Sequence, residues 1–207
     1  MGYHNPMAEE SAEVVAYSGA RFVTLIGPRS NASIEGLADA YQYLIGKIGE
    51  GWQTKKLPII LTHFKQGFTE RDTTSKYIGK GAPPRPFYKT IEAGKAQHDD
   101  LDDIVFLEGI VASPSGTEGP DGKEYDYVKM ELVGSATKEI RMVSEVRQNK
   151  YKEAELPMDH WPIKWTFGVR KGEYKGNKFC KPSLEKVEAA QTDLFEFGIE
   201  LMNKFNS

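Results

Sequence analysis

Cysteine is almost absent from this chain of 207 residues. Cys180 stands alone, so no intrachain disulfide can form and no zinc site built on several cysteines exists. A reducing, cytoplasmic setting is the simplest expectation. Long apolar runs are missing too: none approaches the roughly 20 residues that cross a bilayer, and the N-terminus has neither the basic nor the apolar region of a signal peptide. No membrane partner is expected.

The usual signatures of catalysis are equally scarce. Gly27-Pro28-Arg29-Ser30-Asn31 lies where a strand meets a helix, a position at which backbone N–H groups can hold an anion. It lacks the Lys-Ser/Thr pair of a phosphate loop, and no three-glycine dinucleotide fingerprint occurs, so it reads as an ordinary turn. Asp99, Asp100, Asp102 and Asp103 form an acidic cluster without the spacing of an EF-hand, which reads as a solvated loop. The four histidines bear no informative relation to Cys180. Asp121, Glu173 and Lys175 are the ingredients of a metal-dependent nuclease, but they lie far apart in sequence. A non-catalytic protein without metal or cofactor is expected.

What is present describes a folded protein. Hydrophobic residues make up 39% and charged residues 28%, with a net charge of -3. The net acidity excludes a uniformly basic nucleic-acid coat but leaves room for one basic face, so charge placement carries the argument.

The β signal is strongest from Ile104 to Val133, where IVFLEGIVA and YDYVKMELV flank the turn-rich SPSGTEGPDGKE. Val128, Met130 and Leu132 share one face of the second strand, leaving Tyr127 and Lys129 on the other, available to a ligand. Arg21 to Gly27 and Leu57 to Phe64 read as further strands, and Lys138 to Arg147 as a continuation of the meander, with a short helix as the alternative. Ile163 to Val169 and Tyr174 to Cys180 read as two strands joined by RKGE. A helix is expected from Ser33 to Ile48, on the spacing of Ile34, Leu37, Ala38, Tyr41, Leu44, Ile45 and Ile48. A second, amphipathic helix is expected from Pro182 onward. Its apolar stripe suits docking on its own domain.

The resulting organisation is a flexible arm over residues 1–10, a single β-rich domain over 11–182 with a long loop at 65–103, and a C-terminal helix over 183–207. The expected fold is β-rich α+β: an OB-like antiparallel barrel or strongly curved sheet with a helix near each end. Such barrels bind oligonucleotides with a strand face and long loops.

The most informative segment is WPIKWTFGVRKGEYKGNKFCK, Trp161 to Lys181. It packs two Trp, two Phe and a Tyr among Lys164, Arg170, Lys171, Lys175, Lys178 and Lys181, with Glu173 the only acid. Cations neutralise phosphates, and flat rings stack on unpaired bases of any sequence. Trp161, Trp165, Phe167 and Tyr174 are therefore candidate stackers, and Lys164, Arg170, Lys171, Lys175 and Lys178 candidate phosphate contacts. Neighbours alternate across a strand, so Trp165 and Phe167 stack while Trp161 is core, or the reverse. Tyr127, Lys129, Arg85 and Tyr88 repeat the aromatic and basic mixture elsewhere. The plainer account is a hairpin whose rings fill the core while its lysines sit in water.

The succession of LPIILTHF, the DDIVFLEG and YVKMELVG pair, and WPIKWTFGVRKGEYKGNKFCKP resembles phage-type replication or single-stranded DNA-binding proteins with an OB core, over the latter two-thirds of the chain. That resemblance implies a non-catalytic protein of the host cytoplasm that coats or escorts single-stranded DNA in replication or recombination. Oligomers and contacts with other replication or recombination proteins are implied as well. LFEFGIELMNKFNS departs from the flexible acidic tail common in that family. The alternative is a phage or bacterial structural or adaptor protein that works through protein contacts.

Overall fold

The computed structural model describes residues 20–74, 85–138 and 162–206. The alternating apolar residues of the central hairpin produce long paired strands: β5 (Leu101–Glu118) and β6 (Glu124–Val133) run antiparallel from Ile104↔Val133 to Glu118↔Glu124. Around them lie β1 (Arg21–Leu25), β2 (Tyr43–Ile45), β3 (Trp52–Thr54), β4 (Leu57–Glu70), β7 (Ile163–Tyr174) and β8 (Asn177–Ala189). Among the described residues they form one eight-stranded sheet, ordered β3-β2-β1-β6-β5-β4-β7-β8. The sheet curls strongly into a half-barrel, a β-rich α+β fold of OB-like form. All pairings are antiparallel except β1 with β6, which is parallel.

Two apolar layers hold the curl. The concave side encloses Tyr43, Ile45, Leu57, Ile59, Leu107, Val128, Trp165 and Phe167. On the convex side Ile60, Ile110, Tyr125 and Tyr127 pack under Leu194, Phe195 and Leu201 of the C-terminal helix. β4 thus buries residues on both faces, which explains why LPIIL is continuously apolar rather than alternating. Two shorter helical turns, α1 (Asn31–Ile34) and α2 (Ile91–Lys95), precede the C-terminal helix α3 (Thr192–Asn206).

Several boundaries differ from the sequence expectation. The helix expected over Ser33–Ile48 shrinks to the four residues of α1. Gly36 (φ 69°) and Tyr41 (φ 64°) leave the right-handed region, and the chain returns as β2, fully buried between β1 and β3. The expected loop at 65–103 is shortened from both sides, because β4 runs to Glu70 and β5 begins at Leu101. β8 carries Pro182 and continues to Ala189, so residues 183–189 are strand and the helix starts at Thr192. Proline is tolerated there because β8 is an edge strand. The N-terminal arm and nearly all of the expected strand Lys138–Arg147 lie outside the described residues. No described helix is long and apolar enough to cross a membrane.

Candidate nucleic-acid interface

β7 and β8 continue past the sheet. β4 pairs with β7 only from Leu57↔Phe167 to Leu61↔Ile163, while β7 and β8 stay paired to Tyr174↔Asn177. Gly168 to Pro182 therefore form a two-stranded arm. Its turn is Lys175-Gly176, with φ of 48° and 74°. Two positive φ values match the right-handed twist of a hairpin, and glycine adopts one of them freely. The expected RKGE connection lies within β7 instead.

The arm leans on the segment that follows β1 and on the start of β2. The Tyr43 hydroxyl donates to the Gly168 carbonyl (2.7 Å), and the Cys180 thiol donates to the Ile26 carbonyl (3.6 Å). Arg29 donates to the side-chain carbonyl of Asn177. The Lys171 ammonium sits 4.3 Å from the centre of the Tyr41 ring. Burial pushes the Cys180 thiol above its ordinary range, which favours its protonated form.

Pleating divides the segment into two populations. Trp165, Phe167 and Val169 point into the concave core, and a bulge in β8 opposite Thr166 and Phe167 sets Leu184 against the same core. Trp165 and Phe167 are fully buried and meet edge-to-face at 6.0 Å, with Phe64 edge-on to Trp165 at 5.9 Å. Neither ring is open to a base, so their expected stacking role is corrected to core packing. Trp161 lies outside the described residues.

Beyond Val169 the arm is mostly exposed, with Gly172, Cys180 and Lys181 half-buried. Arg170, Lys171, Tyr174, Lys175 and Lys178 are brought together on the arm. The outer face carries, in cross-strand order, Arg170 with Lys181, Gly172 with Phe179, and Tyr174 with Asn177. Tyr174 is 66% exposed and Phe179 43%. Lys175 lies 5.4 Å from the centre of the Tyr174 ring. Among the described residues Lys175, Lys178 and Lys181 belong to no ion pair.

The other candidates are engaged elsewhere. Lys164 bridges to Glu188 at 3.2 Å, and Lys186 with Lys164 holds that carboxyl below its usual range. Tyr127 is covered by α3, where its ring stacks on Phe205. Its hydroxyl donates to Glu108, which also pairs with Lys129 at 3.6 Å. Arg85 is clamped by Glu131 (2.8 Å) and Asp72 (3.8 Å). Tyr88 is buried against His98, its hydroxyl 2.8 Å from Nε2. Lys164, Tyr127, Lys129, Arg85 and Tyr88 are thus engaged within the fold, and the structure does not gather them with the exposed part of the arm.

Sequence reasoning left Phe179 and Lys181 out of the candidate contacts, together with Arg29 and Tyr41 beneath the arm. Placing the turn at Lys175-Gly176 pairs Phe179 with Gly172 by counting alone, which is the signal that was available. A groove of about 440 Å³ opens between Glu118–Pro120 and α3, lined by Glu118, Asp193, Glu196, Glu200 and Phe197. Its four carboxylates repel a polyanion, so it is no place for phosphate. Compared with known proteins, the chain matches no protein-family model, no curated protein and no solved structure.

Proposed function

We propose that the protein binds single-stranded DNA without sequence preference, through the β7–β8 arm. The observation that carries this reading is the concentration of Arg170, Lys171, Lys175, Lys178 and Lys181, with one acid, on the two faces of the short arm that exposes the rings of Tyr174 and Phe179, on a protein of net charge -3. Cations supply the sequence-independent attraction to phosphate, and exposed rings supply a preference for unpaired bases. The resemblance to phage-type single-stranded DNA-binding proteins supports a role in replication or recombination, in the host cytoplasm and without catalysis.

The test is fluorescence anisotropy of a labelled single-stranded oligonucleotide and a matching duplex across a salt series. Three or four phosphate contacts at about -0.7 each predict a slope of log affinity against log salt of roughly -2 to -3 on the single strand. Weaker binding of the duplex is expected. Equal affinity for both forms, or no binding by folded protein, overturns the proposal.

A protein-contact function is the second reading. It is favoured by the exposed Ile34 (71%) and Leu37 (57%) on and just after α1, the turn that follows Arg29 and its contact with the arm. Failure of nucleic-acid binding in the same titration brings it forward.

A further inference from the structure

Gly172 and Phe179 oppose each other across the arm. A Cβ built on Gly172 would lie 2.4 Å from Cζ of Phe179, 2.7 Å from Cε2 and 3.0 Å from Cε1. Distances so nearly equal hold for a point above the ring plane. Approach through the rim would leave both Cε atoms much farther off than Cζ. The benzene ring is therefore spread over the glycine, with one face on the backbone and the other toward solvent, and only a residue without Cβ allows it.

An aromatic ring over a cross-strand glycine also shields the hairpin, and that accounts for the covered face. It does not account for the company of the open one. Tyr174 follows on the same face toward the turn, with Lys175 over its ring, and Arg170 and Lys181 precede on the side of the barrel. Diagonal neighbours of this kind stand about 7–8 Å apart, roughly twice the 3.4 Å rise of one DNA strand in a duplex. Two such rings match consecutive bases only where those bases are spread apart. A duplex, whose bases are paired and stacked, offers them no faces.

We infer that Phe179 and Tyr174 form a two-base platform for extended, unstacked single strand, with Arg170 and Lys181 on its inner side and Lys175 at its outer end taking the flanking phosphates. This rests on the single-strand reading above and assigns its base-binding residues. Phe179 lies outside the set of stackers that the sequence pattern suggested.

The measurement is binding of a labelled oligothymidine and of an abasic oligonucleotide of the same length, by the unmodified protein, Phe179→Leu and Tyr174→Ala. Leucine keeps an apolar cover over Gly172 but has no flat face, and Tyr174 is an exposed residue beside the turn, so each folded variant is checked by thermal melting. The unmodified protein should prefer oligothymidine. Each substitution should weaken oligothymidine binding roughly 5- to 150-fold while leaving abasic binding unchanged. Tight but equal binding of both oligonucleotides by the unmodified protein overturns the platform and leaves the phosphate-binding arm standing. Unchanged oligothymidine affinity in both folded variants overturns it as well. Absence of binding to either oligonucleotide removes the single-strand reading itself.

Discussion

Trp165 gives the sharpest separation of core from interface. Its indole is fully buried, packed edge-on against Phe64 and Phe167, yet its Nε1–H makes no hydrogen bond among the described residues. Replacement by alanine deletes about 250 Å² of buried aromatic surface, an upper bound of about 6 kcal/mol at 25 cal/mol per Å². Measured losses for such changes run about 3–5 kcal/mol, a large fraction of the stability of a domain.

Trp165→Phe is different. It removes at most about 100 Å² of surface, worth about 2.5 kcal/mol, but it also removes a buried donor whose unmet hydrogen bond costs about 1–3 kcal/mol. The two terms nearly cancel, so stability should change by less than about 1.5 kcal/mol in urea denaturation followed by circular dichroism. The phenylalanine variant is the one for binding measurements, because its small stability change predicts that it folds. Its affinity for single-stranded oligonucleotide should equal that of the unmodified protein. A Trp165→Phe protein with unchanged stability and lost binding would refute the assignment of Trp165 to the core alone.

Two further outcomes follow from buried polar groups. Burial raises the Tyr43 and Tyr127 hydroxyls above the ordinary value, assisted by Cys180 and Glu185 at Tyr43 and by Glu108 at Tyr127, and burial with the Asp121 hydrogen bond pushes Tyr125 up to about 12. A raised folded value means that the stabilisation is complete below about pH 10, the unfolded value, and is lost as pH rises through the folded values. Phenolate absorbance should therefore show these groups ionising above the exposed tyrosines and together with unfolding; all ten tyrosines titrating as one set in an intact fold would contradict this. Asp126 is buried, accepts from Trp52 (3.0 Å) and Ser113 (2.7 Å), and pairs with Arg21 (3.2 Å), tying β6 to β3, β5 and β1. Asp126→Ala leaves those donors unmatched, and because Arg21 keeps partial access to water the expected loss is about 2–3 kcal/mol; a urea midpoint within error of the unmodified protein's would refute it.

The parts of the fold that follow from period-two alternation were legible in the sequence. Val128, Met130 and Leu132 point to the core as their spacing requires. Where a local pattern competed with long-range pairing, pairing won. Ile34, Leu37, Leu44 and Ile45 have helical spacing, yet Ile34 and Leu37 are exposed while Leu44 and Ile45 are buried in a strand hydrogen-bonded on both sides. No single-chain periodicity records the two partner strands that decide this. The same limit applies to Tyr127: its strand face was identified correctly, but its cover comes from α3, more than sixty residues away.

The aromatic and basic segment divides at a point that composition cannot reveal. Up to Phe167 each inward residue of β7 has β4 beside it and the concave core beneath it, so Trp165 and Phe167 are consumed by packing. Past Phe167, β4 no longer pairs with β7 and the pair continues alone. From there the same alternation that buries Trp165 leaves Arg170, Tyr174 and Phe179 exposed. The plainer account holds for the half up to Phe167, whose rings fill the core, and only the exposed half beyond it is left for the proposed binding role. The hydrophobic half anchors the strands, and that anchorage allows a short, charged, two-stranded arm to hold its rings in fixed positions, an arrangement that an isolated hairpin in water would not sustain.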